Sequence, residues 1–169
     1  MSEPDGLVEV FELTKDKQEF KVKQVATLNC HYTLTNAFFS PWEPHIIFAS
    51  SKSGDIFKWD LKKEEKFPVV KSVVARNGHD YPVHGTDIVG TGKIDSTIIS
   101  VSNDGCLCMW KTNENFHQPH NNANYRLKGD MGDLEPHSIS FPETKQTTFF
   151  LACQDSKIYR GELPKGAQN

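Results

Sequence analysis

The 169-residue sequence lacks most of what would mark a specialised chain. It has no basic excess: 19 Lys and Arg stand against 22 Asp and Glu, for a formal net charge of −3, so no nucleic-acid partner is expected. No stretch approaches the ~20 consecutive apolar residues of a membrane-spanning helix, and no membrane association is expected. The opening MSEPDGLVEVFEL carries neither the basic start nor the apolar run of a secretory signal. The four cysteines, Cys30, Cys106, Cys108 and Cys153, follow no disulfide or zinc framework, which makes a reducing cytoplasm the expected compartment. Helical periodicity is missing too: no window places apolar residues convincingly at i, i+3, i+4 and i+7.

What is present is a series of short β-rich runs, among them HIIFASS, DIFKWDL, STIISVS, CLCMWK, TTFFLAC and KIYRGEL. Gly, Asp, Asn, Ser and Pro punctuate them, which predicts an all-β chain. The runs also repeat. HIIFASSKSGDIFKWDL aligns with STIISVSNDGCLCMWKT and with TTFFLACQDSKIYRGEL. Their turn positions, Gly54, Gly105 and Ser156, are each 51 residues apart, and Gly6 precedes Gly54 by 48. A period near 50 with about four strands per unit is the pattern of β-propeller blades. The expected organisation is an open arc of about three four-stranded antiparallel blades. Residues 1–27 would be the end of a preceding blade with its connector. Blades would occupy 28–75, 76–112 and, in degenerate form, 136–163, with a polar insert at 113–135 and a tail at 164–169.

One unit carries a full polar constellation. Asp104 sits in the turn, Ser102 precedes it, Trp110 ends the next strand, and the Gly78-His79 pair lies upstream. These residues match the WD-repeat pattern. His79 is expected to bond Asp104, and Ser102 to bridge the imidazole to the indole N–H of Trp110. A buried Asp needs such partners, because leaving it unpaired costs several kcal/mol. The other units depart from the pattern. The unit ending in Trp59-Asp60 has Ser53 where Asp104 stands, and its upstream histidine, His31, lies in NCHY. The last unit keeps Asp155 but has Gly161 in place of Trp110.

The order of these motifs is more specific than any one of them. FSPWEPHIIFASSKSGDIFKWD, then GHDYPV, then VGT, then ISVSNDGCLCMW, then SISFP with FFLACQDSKIY resembles the propeller of the cytoplasmic dynein intermediate chain family, across roughly residues 7–163. The chain departs from that family in its long polar segment NENFHQPHNNANYRLKGDMGDLEPH. The resemblance implies a non-catalytic scaffold that binds the dynein heavy chain and assembles with other dynein subunits. It implies a role in microtubule-based motor assembly and cargo transport, located in the cytoplasm on the cytoskeleton. The family's light-chain-binding region is not recognisable in this chain. The alternative is a WD-repeat interaction module of another cytosolic complex, such as a coat, ubiquitin-ligase or chromatin assembly.

Catalytic and cofactor readings find little support in the residues. GTDIVGTGK fails as a phosphate-binding loop, because Asp87 and Ile94 stand where Gly and Ser or Thr are required. No nucleophile elbow is present. His79, His84, His117 and His120 could be drawn as a metal cluster, but two of them lie in the Asn-rich insert and His79 has a structural part. Cys106 and Cys108 lack two further ligands at zinc spacing and read as core-filling residues. No cofactor is expected. Lys62–Lys66 reads as a solvated loop, and Trp42 as either an exposed binding aromatic or packing for the strand that follows. An open arc would leave its end faces uncovered, with Phe149, Leu151 or Ile158, or their neighbours, exposed on the last blade and association through the open ends favoured.

Overall fold

The computed structural model describes residues 6–30, 32–63, 70–71, 78–93, 96–112, 124–129, 132–143 and 147–163. Among these residues the protein is all-β and contains no helix. A long hairpin comes first, β1 (Gly6–Asp16) with β2 (Glu19–Cys30). The second sheet follows in chain order: β3 (Leu34–Phe39), β4 (Ile46–Ser51), β5 (Ile56–Asp60) and β6 (Val70–Lys71). The third sheet holds β7 (Val83–Val89), β8 (Thr97–Ser102), β9 (Cys106–Lys111) and β10 (Asn124–Arg126). A two-stranded ribbon, β11 (Lys128–Gly129) and β12 (Gly132–Asp133), leads to the last sheet. That sheet has three strands among the described residues, β13 (Pro136–Ser140), β14 (Thr148–Cys153) and β15 (Ile158–Glu162). All pairings are antiparallel between neighbours, the up-and-down order of a propeller blade.

The sheets pack face to face, and the core is divided between them. Val10, Leu28 and Cys30 of the hairpin meet Ile47, Ala49, Phe57 and Trp59 of the second sheet. The other face of the second sheet brings Ile46, Phe48 and Ile56 against Val83, Ile98, Cys108 and Trp110 of the third. The far face of the third sheet packs Ile99, Val101, Leu107 and Met109 on Ile139, Phe149 and Leu151 of the last. This is why β4 and β8 read as unbroken apolar and hydroxyl runs: every residue in both strands is buried, with a sheet on each side. β14 alternates instead, because only one of its faces is covered.

The repeat is visible in the backbone. Gly54 (φ 87°), Gly105 (φ 72°) and Ser156 (φ 63°) all adopt the left-handed conformation at the same point of their hairpins. The inner pairings β3–β4, β7–β8 and β13–β14 each shift register near their start, between Leu34 and Asn36, Val83 and Gly85, and Pro136 and Ser138. These inner strands lie close together. A Cβ on Gly85 of β7 would stand 2.8 Å from the Ile139 nitrogen and the Ser138 Cα of β13.

The last sheet exposes Ile158 and, beside Phe149, Phe150, which lie among the residues expected there; Phe149 and Leu151 are buried, because their side of β14 is the one facing the third sheet. The span 113–135, expected as a polar insert, carries short strands among its described residues. Asn124–Arg126 forms β10 on the edge of β9, with Tyr125 opposite Leu107, and Tyr125, Leu127 and Leu134 pack against the adjacent core. Residues 113–123, 130 and 131, with His117 and His120, lie outside the described residues, as does His31.

Candidate functional site

The polar groups of the third sheet form one buried chain of hydrogen bonds. His79 comes from the loop entering β7, Asp104 from the β8–β9 turn, Ser100 from β8 and Trp110 from β9. His79 Nδ1 is 2.9 Å from Asp104 Oδ2, and His79 Nε2 is 2.8 Å from Ser100 Oγ. Trp110 Nε1 donates to Ser100 Oγ at 2.7 Å. The chain is satisfied throughout when Nδ1–H donates to the carboxylate and Ser100 O–H donates to Nε2, a tautomer assigned from the network. The His79 side chain has no exposed area, and Ser100 and Trp110 are equally enclosed. Burial acts to raise the Asp104 carboxyl. The hydrogen bond from His79, with those from the amides of Cys106 and Asp80, outweighs it and holds the group below its ordinary value. Cys108 Sγ lies 3.8 Å from the ring, and burial pushes its thiol far up, so it stays protonated.

The bridging hydroxyl is that of Ser100, not Ser102. Both side chains lie on the same face of β8, and alternation alone does not choose between them. Trp110 pairs with Ile98, so Ser100 is its diagonal neighbour and Ser102 lies one step further along the strand. Ser102 Oγ instead accepts the Asp104 amide at 3.5 Å within the turn.

The loop carrying His79 also touches the second sheet. A Cβ on Gly54 would stand 2.2 Å from the His79 carbonyl oxygen. The loop is therefore seated between the Gly54 turn and the Asp104 turn, which joins neighbouring sheets. Lys58 Nζ adds a second tie, donating to the Thr112 carbonyl at 3.0 Å. Asp87 supplies a third. One of its oxygens accepts the Ile88 amide and the other accepts the Phe141 amide at 2.7 Å, linking the third and last sheets. In the sequence Asp87 stands out only as a break in the phosphate-loop pattern; its tie to the last sheet is not legible there, because the Phe141 amide belongs to a distant segment.

The equivalent positions in the other sheets are built differently. In the second sheet Ala49 occupies the place of Ser100, and Trp59 Nε1 is buried without a partner. The turn there is held by Ser51, Ser53 and Asp55, with hydroxyl–hydroxyl and hydroxyl–carboxylate contacts of 2.8 Å. Asp60 accepts the Lys62 amide and lies 3.9 Å from His45 Nε2. In the last sheet Asp155 is exposed, accepting Tyr159 O–H at 2.6 Å beside Lys157. Leu151 replaces the serine, and the Phe149 ring covers Gly161, leaving no room for even a Cβ there.

Where β3, β7 and the end of β13 converge lies a cleft of about 340 Å³, lined by Phe38, Phe39, Thr86, Asp87, Ile88 and Phe141 among others. Both oxygens of Asp87 are engaged by amides, so the cleft has a positioned carboxylate but no unengaged one. Among the described residues no three His, Cys, Asp or Glu side chains gather as metal ligands. No helix among them is long and apolar enough to cross a membrane. Trp42 packs partly buried against the core between the second and third sheets.

No family model matches the chain. It is 26% identical over 158 residues to the cytoplasmic dynein 1 intermediate chain of Drosophila melanogaster, an alignment covering 94% of this chain and 23% of that protein. The chain thus spans about a quarter of the length of the relative it matches. Among solved structures it is similar to U3-55K, a WD-repeat protein, with a TM-score of 0.58 at 14% identity over 90% of this chain and 39% of that one. At that identity the likeness speaks for the fold alone. It supports a β-propeller fragment, to which the sequence comparison adds a distant similarity to a dynein intermediate chain.

Proposed function

We propose that this chain is a non-catalytic scaffold of the dynein intermediate chain type. Its sheets, about three propeller blades, present loops to the dynein heavy chain and support assembly of a microtubule motor. The observation that carries the reading is the alignment with a dynein intermediate chain along nearly the whole of this chain. The construction of the site agrees with it. The polar groups with the best geometry are spent on one another or on backbone amides, as in a rigid support whose surface loops do the binding. The site residues His79, Ser100, Asp104 and Trp110 then act by holding the loop between two sheets, and Trp59 and Asp60 belong to the packing and turn of the second sheet.

The test is affinity purification of the tagged chain from animal cells, followed by mass spectrometry. Dynein heavy chain and other dynein subunits should be recovered, and recovery should fall for Asp104→Ala. A coat, ubiquitin-ligase or chromatin assembly recovered without dynein would replace this reading with the other WD-repeat alternative.

A further inference from the structure

The β1–β2 hairpin is longer than the sheets it stacks on. Its strands run 11 and 12 residues, whereas β4, β5, β8, β9, β14 and β15 have five or six. At ~3.3 Å per residue its distal half extends some 15–20 Å further than those strands. Only the base of the hairpin reaches the core, through Val10, Leu28 and Cys30.

The distal half is two-faced. One face carries charged and polar pairs, Glu12 with Lys23 and Thr14 with Lys21, together with a Lys21–Asp16 ion pair of 2.8 Å. The other carries Phe11 and the paired Leu13 and Val22, then Phe20 toward the tip, with exposures of 52%, 63%, 64% and 63%. This apolar face points away from the second sheet, since Phe11 and Leu13 alternate with the inward Val10. Solvent-facing hairpins do not ordinarily gather four such residues on one side. A sheet of the size found elsewhere in this protein, stacked alongside, would be too short to cover them.

We propose that this face is a self-association surface, on which a second copy of the chain packs its own hairpin in antiparallel sense. Two observations favour a second copy over another occupant. The first is area. Four side chains more than half exposed offer on the order of 500 Å² of apolar surface, so two facing copies remove about 1,000 Å², and flanking groups bring the total to the lower edge of specific interfaces. The second is charge. On this same face Glu9 stands toward the base and Lys15 toward the tip, six residues apart on β1, with Phe11 and Leu13 between them. A two-fold axis level with residue 12 sets Phe11 over Leu13 of the other copy and Glu9 over its Lys15, twice. In the single chain Lys15 lies over the Phe20 ring at 5.9 Å and Glu9 accepts Gln24 at 3.1 Å. Both charges are therefore held on the face rather than turned away from it. The interface is isologous and closed, so it ends at a dimer.

Sedimentation velocity of the purified chain from 1 to 200 µM tests this. A monomer–dimer equilibrium is expected, with a dissociation constant on the order of 10 µM for so small an interface. Leu13→Lys with Val22→Lys should weaken it at least tenfold while the thermal melt stays in place, because both side chains are exposed. Glu9→Lys and Lys15→Glu should each weaken it, and the two together should restore it. Co-expression of two differently tagged copies, with one used to recover the other, reads the same ranking if the purified chain does not stay soluble. A chain that remains monomeric to 200 µM and fails to recover its second tag overturns the proposal. So does association unaffected by the two lysines, or association abolished by Ile158→Lys on the last sheet instead. A charge exchange no better than either single change overturns the antiparallel register.

Discussion

Replacing Ser100 with alanine removes one oxygen and breaks two buried hydrogen bonds. The Trp110 indole N–H, 2.7 Å from that oxygen, and His79 Nε2, 2.8 Å from it, both lose their partner in a region without solvent access. A buried polar group left unpaired costs about 1–3 kcal/mol. Two such groups, less the small gain from no longer burying a hydroxyl, put the cost of Ser100→Ala at about 2–4 kcal/mol. For a chain of this length each kcal/mol moves the melting temperature by roughly 2–4 °C, so a fall on the order of 5–15 °C follows. Ser102→Ala removes only the 3.5 Å contact with the Asp104 amide and should cost less than about 1 kcal/mol. Urea denaturation followed by tryptophan fluorescence measures both, since Trp110 lies in the network. A loss below about 0.5 kcal/mol for Ser100→Ala, or a loss for Ser102→Ala as large as that for Ser100→Ala, would show that the Ser100 hydroxyl does not hold the network together.

Three other outcomes follow from the same geometry. Ala49→Ser offers an acceptor to the unpartnered Trp59 Nε1 and should stabilise by about 0.5–1 kcal/mol, read as a higher urea midpoint; a lower midpoint would mean that the new hydroxyl proton finds no acceptor of its own. Ser156→Gly should stabilise by about 0.5–1 kcal/mol in the same assay, because Ser156 sits at φ 63°, where its repeat counterparts are glycines; no gain would mean that Ser156 compensates locally. Burial, and then the charge of His137 whose ring lies 5.7 Å away, hold His84 below its ordinary value of 6.5. A depressed histidine favours the folded state fully above that value and loses its contribution as pH falls from about 6.5, so the denaturation midpoint should drop between pH 7.5 and 5.5 by less in His84→Gln than in the parent chain.

Much of the local structure was legible in the sequence because it depends on neighbours a few residues apart. An Asp-Gly pair between alternating runs makes a hairpin by its own backbone preferences, and the 51-residue spacing of Gly54, Gly105 and Ser156 marks three left-handed turns. His79, Asp104 and Trp110 could be named because their types and spacing carry the pattern. The order in which they bond could not. Ser100 and Ser102 are equivalent to a period of two, and only the diagonal across β8 and β9 brings Ser100 to the indole. The aligned sequences show Ala49 against Ser100, yet the stranded indole of Trp59 emerges only once two sheets close over it. Gly161 looks like a missing tryptophan until the Phe149 ring is seen lying across it. β10 sits in a segment too polar to announce a strand, and the free edge of β9 orders it. Phe149 and Phe150 are adjacent and identical in the chain. Only the presence of the third sheet on one side of β14 buries the first and exposes the second, because stacking against a distant segment, rather than local preference, decides which face of a strand is covered.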